Sequence, residues 1–277
     1  MYNRIPILLC LVICASAFGA GGFDPAADMT DGMGNTVVLA QPSALELLSV
    51  PVGGIDDGDF KLESGYSRKF GMKELDRVYL ASVRRFGPLT TALGISQFGR
   101  SNLYAEKLGR LAVAYNVDSL SLGATISAMI VEFGNGYDNL SGVTVGVGCG
   151  YRTRRLKTAI MFENLTTPRL HAGSPEINVV SGLHLELLGP GPYSVTGRVT
   201  LEPTEKPQFG LGQKIRLSPR GSFFWGVTTA PRTYGGGVQV SYRSYLITIA
   251  ASYHSTLGLS NHVALSLVRF GDEKAGR

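Results

Sequence analysis

The stretch YGGGVQVSYRSYLITIAASYHS, residues 234–255, is too apolar for a water-facing surface and too rich in glycine and serine for a packed core. Taken two residues at a time, it separates. From Tyr234 onward one set reads Tyr, Gly, Val, Val, Tyr, and the other reads Gly, Gly, Gln, Ser, Arg. A period of two is the mark of a strand, whose successive side chains point to opposite faces. Tyr242 and Tyr245 flank Arg243-Ser244, which reads as a tight turn, so the stretch predicts a hairpin with Tyr234 and Tyr253 at its far end.

The same rhythm runs along most of the chain. About fourteen segments alternate in polarity, near 60–69, 75–86, 88–98, 106–117, 119–133, 140–152, 155–165, 176–188, 192–202, 208–217, 221–230, 233–243, 245–254 and 261–270. Turn chemistry divides them, as at Gly87-Pro88, Asn135-Gly136, Gly189-Pro190-Gly191-Pro192 and Pro219-Arg220-Gly221. Short connections favour antiparallel neighbours. In one segment Leu120, Leu122, Ala124, Ile126, Ala128 and Ile130 share a face, against Ser121, Gly123, Thr125 and Ser127.

Such strands suit either a soluble sandwich, oily face inward, or a membrane barrel, oily face to lipid. Four features favour the barrel. The segments approach the roughly 9–11 residues that cross a bilayer when tilted. Tyrosines end the apolar faces, as expected of interfacial girdles: Tyr151, Tyr193, Tyr234, Tyr242, Tyr245 and Tyr253. The polar faces prefer glycine, serine and threonine to charge. The segment number is even, so both ends of the wall meet on one side. Closure matters because an open edge would leave backbone groups unsatisfied in lipid. The expected fold class is therefore all-β, a transmembrane antiparallel barrel of about fourteen strands.

Composition agrees. Of 277 residues 44% are hydrophobic, and 36 are glycine. Only 17% are charged, against about 25% in ordinary soluble domains. The net charge of +5 and pI of 9.1 are dispersed, with no basic stripe interleaved with aromatics, which argues against nucleic acid. Arg4, the apolar run Ile5 to Ile13 and Ala15-Ser16-Ala17 read as an export signal cleaved at Ala17 or Ala20. That run is too short for a spanning helix. Cys14 could instead mark a lipoprotein, but bulky Ile13 precedes it. Cys10 and Cys14 lie in the signal, leaving Cys149 without an internal disulfide partner.

The expected organisation is a signal over 1–20, a plug segment over 21–57 and a barrel over 58–277. The plug region is acidic and rich in glycine and proline; Ser43 to Leu48 predicts a brief helix, with Ser43 and Glu46 as a capping box. Asp56-Asp57-Gly58-Asp59 lacks EF-hand spacing and reads as a solvated turn.

Two stretches resemble a known family. GMGNTVVLAQPSALELLSVPVGG, with Ala40, Pro42, Ser43, Ala44 and Leu45, is similar to the opening of FadL/TodX-like outer-membrane proteins of the PorV/PorQ type. LGLSNHVALSLVRF, with Gly258, Leu259, His262, Leu265, Leu267, Arg269 and Phe270, resembles their ending. The resemblance covers about forty residues. It departs where Ser49-Val50-Pro51 replaces the family's Asn-Pro-Ala, and where Phe270 falls out of step with Val263, Leu265 and Leu267. It implies a fourteen-stranded outer-membrane barrel with its amino-terminal segment inside the lumen, and Phe270 as the signal read by the barrel-assembly machinery. The implied role is a non-enzymatic component of type IX protein secretion or surface assembly. The alternatives are a FadL-like passage for hydrophobic molecules and an exported soluble all-β module. Partners would be membrane lipid, the assembly machinery, and secretion or surface proteins or a hydrophobic ligand.

Charge inside the wall is expected at Arg110, Arg152, His184, Glu186, Arg198, Glu202, Lys214, Arg216 and Arg243. These groups are expected to pair with one another and with plug acids such as Asp24, Asp28 and Asp31; the alternative is that they bind an anionic head group or peptide. The four histidines, His171, His184, His254 and His262, lack metal-ligand spacing. No G-x-S-x-G elbow or fixed serine–histidine pair supports an enzyme, and no cofactor is expected. GVGCG, residues 146–150, is not a phosphate loop; its inward glycines either make room for the plug or relieve curvature. Asn139-Leu140-Ser141 and Asn164-Leu165-Thr166 match a glycosylation pattern by chance.

Overall fold

A computed structural model of the chain describes residues 32–33, 35–40, 42–55, 60–100, 103–134, 139–166, 179–203 and 205–269. The export signal, Asp24, Asp28, Asp31, the 56–59 turn, His171 and Phe270 lie outside these residues.

Among the described residues, fourteen strands follow one another in order. They are β1 (Phe60–Arg68), β2 (Asp76–Phe86), β3 (Leu89–Arg100), β4 (Tyr104–Val117), β5 (Leu120–Phe133), β6 (Leu140–Arg152) and β7 (Leu156–Glu163). The second half comprises β8 (Val180–Leu188), β9 (Tyr193–Leu201), β10 (Gln208–Ser218), β11 (Gly221–Thr229), β12 (Arg232–Tyr242), β13 (Tyr245–His254) and β14 (Gly258–Arg269). Each pairs antiparallel with its neighbours, and β1 closes on β14 from Phe60↔Arg269 to Arg68↔Asn261. Closure leaves no open edge strand, as a hydrocarbon environment demands.

Burial is inverted relative to a water-soluble protein. On β5 the outward Leu122 is 62% exposed, whereas the inward Ser127 is 1% exposed. The outward faces form a belt of Val, Leu and Ile around the barrel. Such a continuous apolar surface is stable against lipid, and the fold is that of a transmembrane barrel. Tyr151, Tyr193, Tyr242 and Tyr245 stand outward at one rim, and the cross-strand pair Tyr234↔Tyr253 stands outward at the other. Phe86 and Tyr115 extend the first girdle, and Tyr66 and Phe209 the second.

The two rims differ in their connections. Where β1 begins and β14 ends, six turns of two to four residues join the strands. The opposite rim carries the longer links, including 69–75 and 164–179. In outer-membrane barrels, short turns are periplasmic and long loops extracellular.

Inside the barrel lies the plug, whose described residues are 32–33, 35–40 and 42–55, with the helix α1 (Ala44–Ser49). Ser43 accepts from the Glu46 amide at 3.1 Å, and Glu46 accepts back from the Ser43 amide at 2.7 Å, completing the capping box. The apolar interior of the barrel is the plug–wall contact. Ala44, Leu45, Leu47 and Leu48 pack on Tyr79, Ala81, Val83, Ala92, Ala112 and Ala264. Val37, Leu39, Val50 and Val52 pack on Ala159 and Met161, and Met33 and Val38 on Phe224 and Ala250. Where the plug lies against the wall, the inward face turns apolar or small.

Candidate functional site

Apart from α1 the plug is irregular, so its backbone groups need partners from elsewhere. Side chains of the wall supply them. Arg198 donates to the Asn35 carbonyl (3.0 Å), Lys61 to Pro42 (3.0 Å), Arg110 to Leu48 (3.1 Å) and Arg85 to Ile55 (3.0 Å). Carboxylate and hydroxyl oxygens take the amides: Glu186 accepts from Ala40 at 2.6 Å and Ser121 from Gly53 at 2.8 Å. Thr36 and Thr196 share a 2.6 Å hydroxyl bond. Glu46 also reaches back to the Val38 amide at 2.7 Å, so one carboxylate organises both sides of the plug's bend.

Glycines in the wall make the space. A Cβ on Gly123 would overlap the Pro51 carbonyl, and one on Gly94 would overlap Leu48 Cδ1. At Gly212 it would come within 2.5 Å of Thr36 Oγ1. Gly148 and Gly150 face Val52, at 3.2 and 3.1 Å from the added atom. Gly146, in the same GVGCG run, faces Thr125 and the β7 backbone instead. Two of its three glycines therefore face the plug.

The charged residues expected inside divide into three groups. Arg110, His184, Glu186, Arg198 and Lys214 lie on the inward face. Arg110 is 4% exposed; its Nε donates to Ser127 at 2.7 Å, and its Nη1 pairs with Glu163 at 2.6 Å. Lys214 donates to Gln239 at 2.7 Å, and buried His184 stands across from Arg198 in the β8–β9 register. Arg216 faces inward but is exposed near the short-turn rim, and Glu202 lies one residue beyond β9 at the other. Arg152 and Arg243 lie at the short-turn rim: Arg152 lines a small pocket with Lys157 and plug residues, and Arg243 lines the large cavity beside the plug. Arg152 ends β6, exposed, and donates to the Asp118 carbonyl at 3.1 Å. Arg243 sits in the β12–β13 turn at φ 53°, with its guanidinium 5.4 Å from the Tyr242 ring centre.

Arg198 and Glu186 hold plug backbone, and the carboxylate beside Arg110 comes from Glu163 of the wall; the plug acids Asp24, Asp28 and Asp31 lie outside the described residues. Lys61, Arg85, Ser121 and Glu163 are functional contacts that sequence reasoning missed. Their inward phase was legible; which inward positions meet the plug was not.

Two histidines have local polar roles. His254 Nδ1 accepts from the Thr256 and Leu257 amides, both at 3.1 Å, closing the β13–β14 turn. His262 Nε2 lies 3.4 Å from Ser252 Oγ, long for a bond between these atoms.

Beside the plug a cavity of about 680 Å³ opens toward the short-turn rim. Lys61, Glu63, Lys157, Glu186, Lys214 and Arg216 line it. A second, much smaller pocket of about 10 Å³ lies at Gly94. Plug residues Leu45 and Leu48 line it together with Leu80 and Ile95, which face outward on the wall.

These features define the class: a fourteen-stranded transmembrane barrel whose lumen is occupied by its own amino-terminal segment. Comparison with solved structures finds the same architecture. The chain is similar to the Pseudomonas putida toluene transporter TodX, with a TM-score of 0.63 at 10% identity, over 91% of this chain and 98% of that one. It is also similar to the CymD monoaromatic hydrocarbon channel, with a TM-score of 0.52 at 12% identity, over 78% and 90% of the two chains. Likeness at this identity establishes a shared fold. No protein-family model matches the sequence, and no curated protein does.

Proposed function

We propose that this chain is a bacterial outer-membrane channel for small hydrophobic molecules, held closed by its plug. The observation that carries the reading is the pocket at Gly94. There the wall has no side chain between the plug leucines Leu45 and Leu48 and the lipid-facing Leu80 and Ile95. The apolar helix α1 thus packs directly on bare wall backbone, whose pairing is unbroken there (Ala81↔Gly94, Gly94↔Arg110), with Ser96 and Arg110 also lining the pocket. Among the described residues, β6 pairs with β7 over Val147–Arg152, and beyond β7 the Leu165 amide and the Thr166 hydroxyl donate to the Val145 and Val143 carbonyls. Both solved channels named above are hydrocarbon channels, which supports the passage reading over the secretion component that the terminal motifs suggest.

The test is uptake of radiolabelled toluene by cells that lack hydrocarbon channels and express this chain. Saturable uptake several-fold above empty-vector cells is expected. Uptake equal to the control, with a secretion or surface protein recovered by native pull-down, would return the assignment to secretion.

A further inference from the structure

Several rim cations differ in their partners between the two rims, although Arg68 also stacks on Tyr66 at 5.8 Å and the exposed Arg232 of the long-loop rim has no ion pair among the described residues. At the long-loop rim, Arg68 is ion-paired with Asp76 at 2.9 Å and Lys107 with Glu132 at 2.6 Å. At the short-turn rim, Arg84 lies 4.9 Å from the Phe86 ring centre and Arg243 lies 5.4 Å from that of Tyr242. Neither Arg84 nor Arg243 has a carboxylate partner among the described residues. Phe86 and Tyr242 belong to the outward aromatic girdle, each more than half exposed (51% and 57%). Arg154, Arg155 and Arg220 are exposed in turns of the same rim.

A girdle ring sits at the depth of the lipid head groups. A guanidinium held over such a ring is fixed at that depth by cation–π attraction, with its planar fork free at the edges. The group it fits is a phosphate, which a guanidinium grips with two parallel bonds. Acyl chains then follow the Val–Leu–Ile belt below. A zwitterionic head group brings its own cation into this arginine-rich rim, and an anionic one does not. The short turns place this rim in the periplasmic leaflet.

We propose that Arg84 and Arg243 form binding positions for anionic phospholipid head groups in the leaflet at the short-turn rim. The proposal depends on the transmembrane fold and not on what passes through the lumen.

The full chain in detergent is titrated with phosphatidylglycerol or with phosphatidylcholine of the same acyl chains, and retained lipid is counted by native mass spectrometry. Retention of phosphatidylglycerol is expected to exceed that of phosphatidylcholine by on the order of fivefold for each arginine. The double variant Arg84→Gln, Arg243→Gln loses the preference, whereas Arg68→Gln, at the acid-paired rim, keeps it. Heat-modifiable migration verifies that each variant is folded, and the two single variants replace the double if it is not. Equal retention of the two lipids by the wild type overturns the proposal. So does an undiminished preference in the variants, or an equal loss in Arg68→Gln. Stronger retention of lipid A than of phosphatidylglycerol would assign the arginines to the other leaflet. A polyglutamate peptide bound through these arginines in place of lipid would assign them to an acidic protein. Either result overturns the proposal as stated.

Discussion

Arg110 on β4 and Glu163 at the end of β7 form a 2.6 Å ion pair inside the barrel, and the same guanidinium nitrogen donates to the Leu48 carbonyl at the end of α1. One side chain therefore joins three parts of the molecule: a long strand, the end of β7 and the plug. Removing one partner of a buried pair costs about 3–5 kcal/mol, because the other charge is left uncompensated. Arg110→Ala is expected to lower barrel stability by an amount of that order and to expose the plug to protease. Limited proteolysis with mass mapping reads the plug, and urea unfolding followed by gel shift reads the barrel. A plug as resistant as the wild type's would remove Arg110 from the tether.

Gly123 faces the Pro51 carbonyl so closely that a single methyl group overlaps it. Backbone cannot yield as a flexible side-chain tip can, and overpacking of this kind costs about 1–3 kcal/mol. Gly123→Ala should displace residues 50–53 and weaken the Gly53–Ser121 bond. Gly109→Ala is the control, since a Cβ there meets nothing within 4 Å. Amide hydrogen exchange over the plug should rise for the first variant and stay unchanged for the second.

Glu46 holds two backbone amides, of Val38 and Ser43, while capping α1. Loss of an N-cap side chain costs about 1 kcal/mol. Ser43→Ala should stay near that value, because it removes a single bond. Glu46→Ala should exceed it, because two buried amides lose their acceptor at once. Thermal unfolding of the two variants side by side measures the difference; equal shifts would mean that the Val38 contact contributes nothing.

Ile126 stands outward near the middle of β5. An arginine on the lipid face at the bilayer midplane costs about 2–4 kcal/mol. Ile126→Arg should destabilise the barrel by that amount in urea titrations performed in lipid vesicles. Ser222→Arg, which adds the same charge at the lumen cavity, should change stability by a small fraction of it. Equal losses at the two positions would contradict the assignment of faces.

The wall was legible in the residues because its cause is local. A strand that separates lipid from lumen must alternate at every step, so Tyr234 to Tyr253 could be assigned to faces and paired across Arg243-Ser244 by counting alone. Even the limits of β6 and β13 coincide with the expected 140–152 and 245–254. Alternation says less at the rim, where Arg152 and Arg243 are exposed beside the turns. It also blurred where a turn hides a strand's start: β14 begins at Gly258, not 261.

By itself, the sequence determined a closed barrel with an oily exterior, a small polar interior and a capped helix in its amino-terminal segment. Those properties follow from side-chain period and short-range hydrogen bonds, which act between residues near one another along the chain. Tertiary structure alone decided what the interior charges do. Glu186 meets Ala40 across 146 positions and Arg198 meets Asn35 across 163. Such meetings depend on how the plug threads a lumen that exists only after fourteen strands have closed. Only then do inward glycines become clearance for Pro51 and Leu48, and inward arginines become tethers for a backbone that has no sheet of its own.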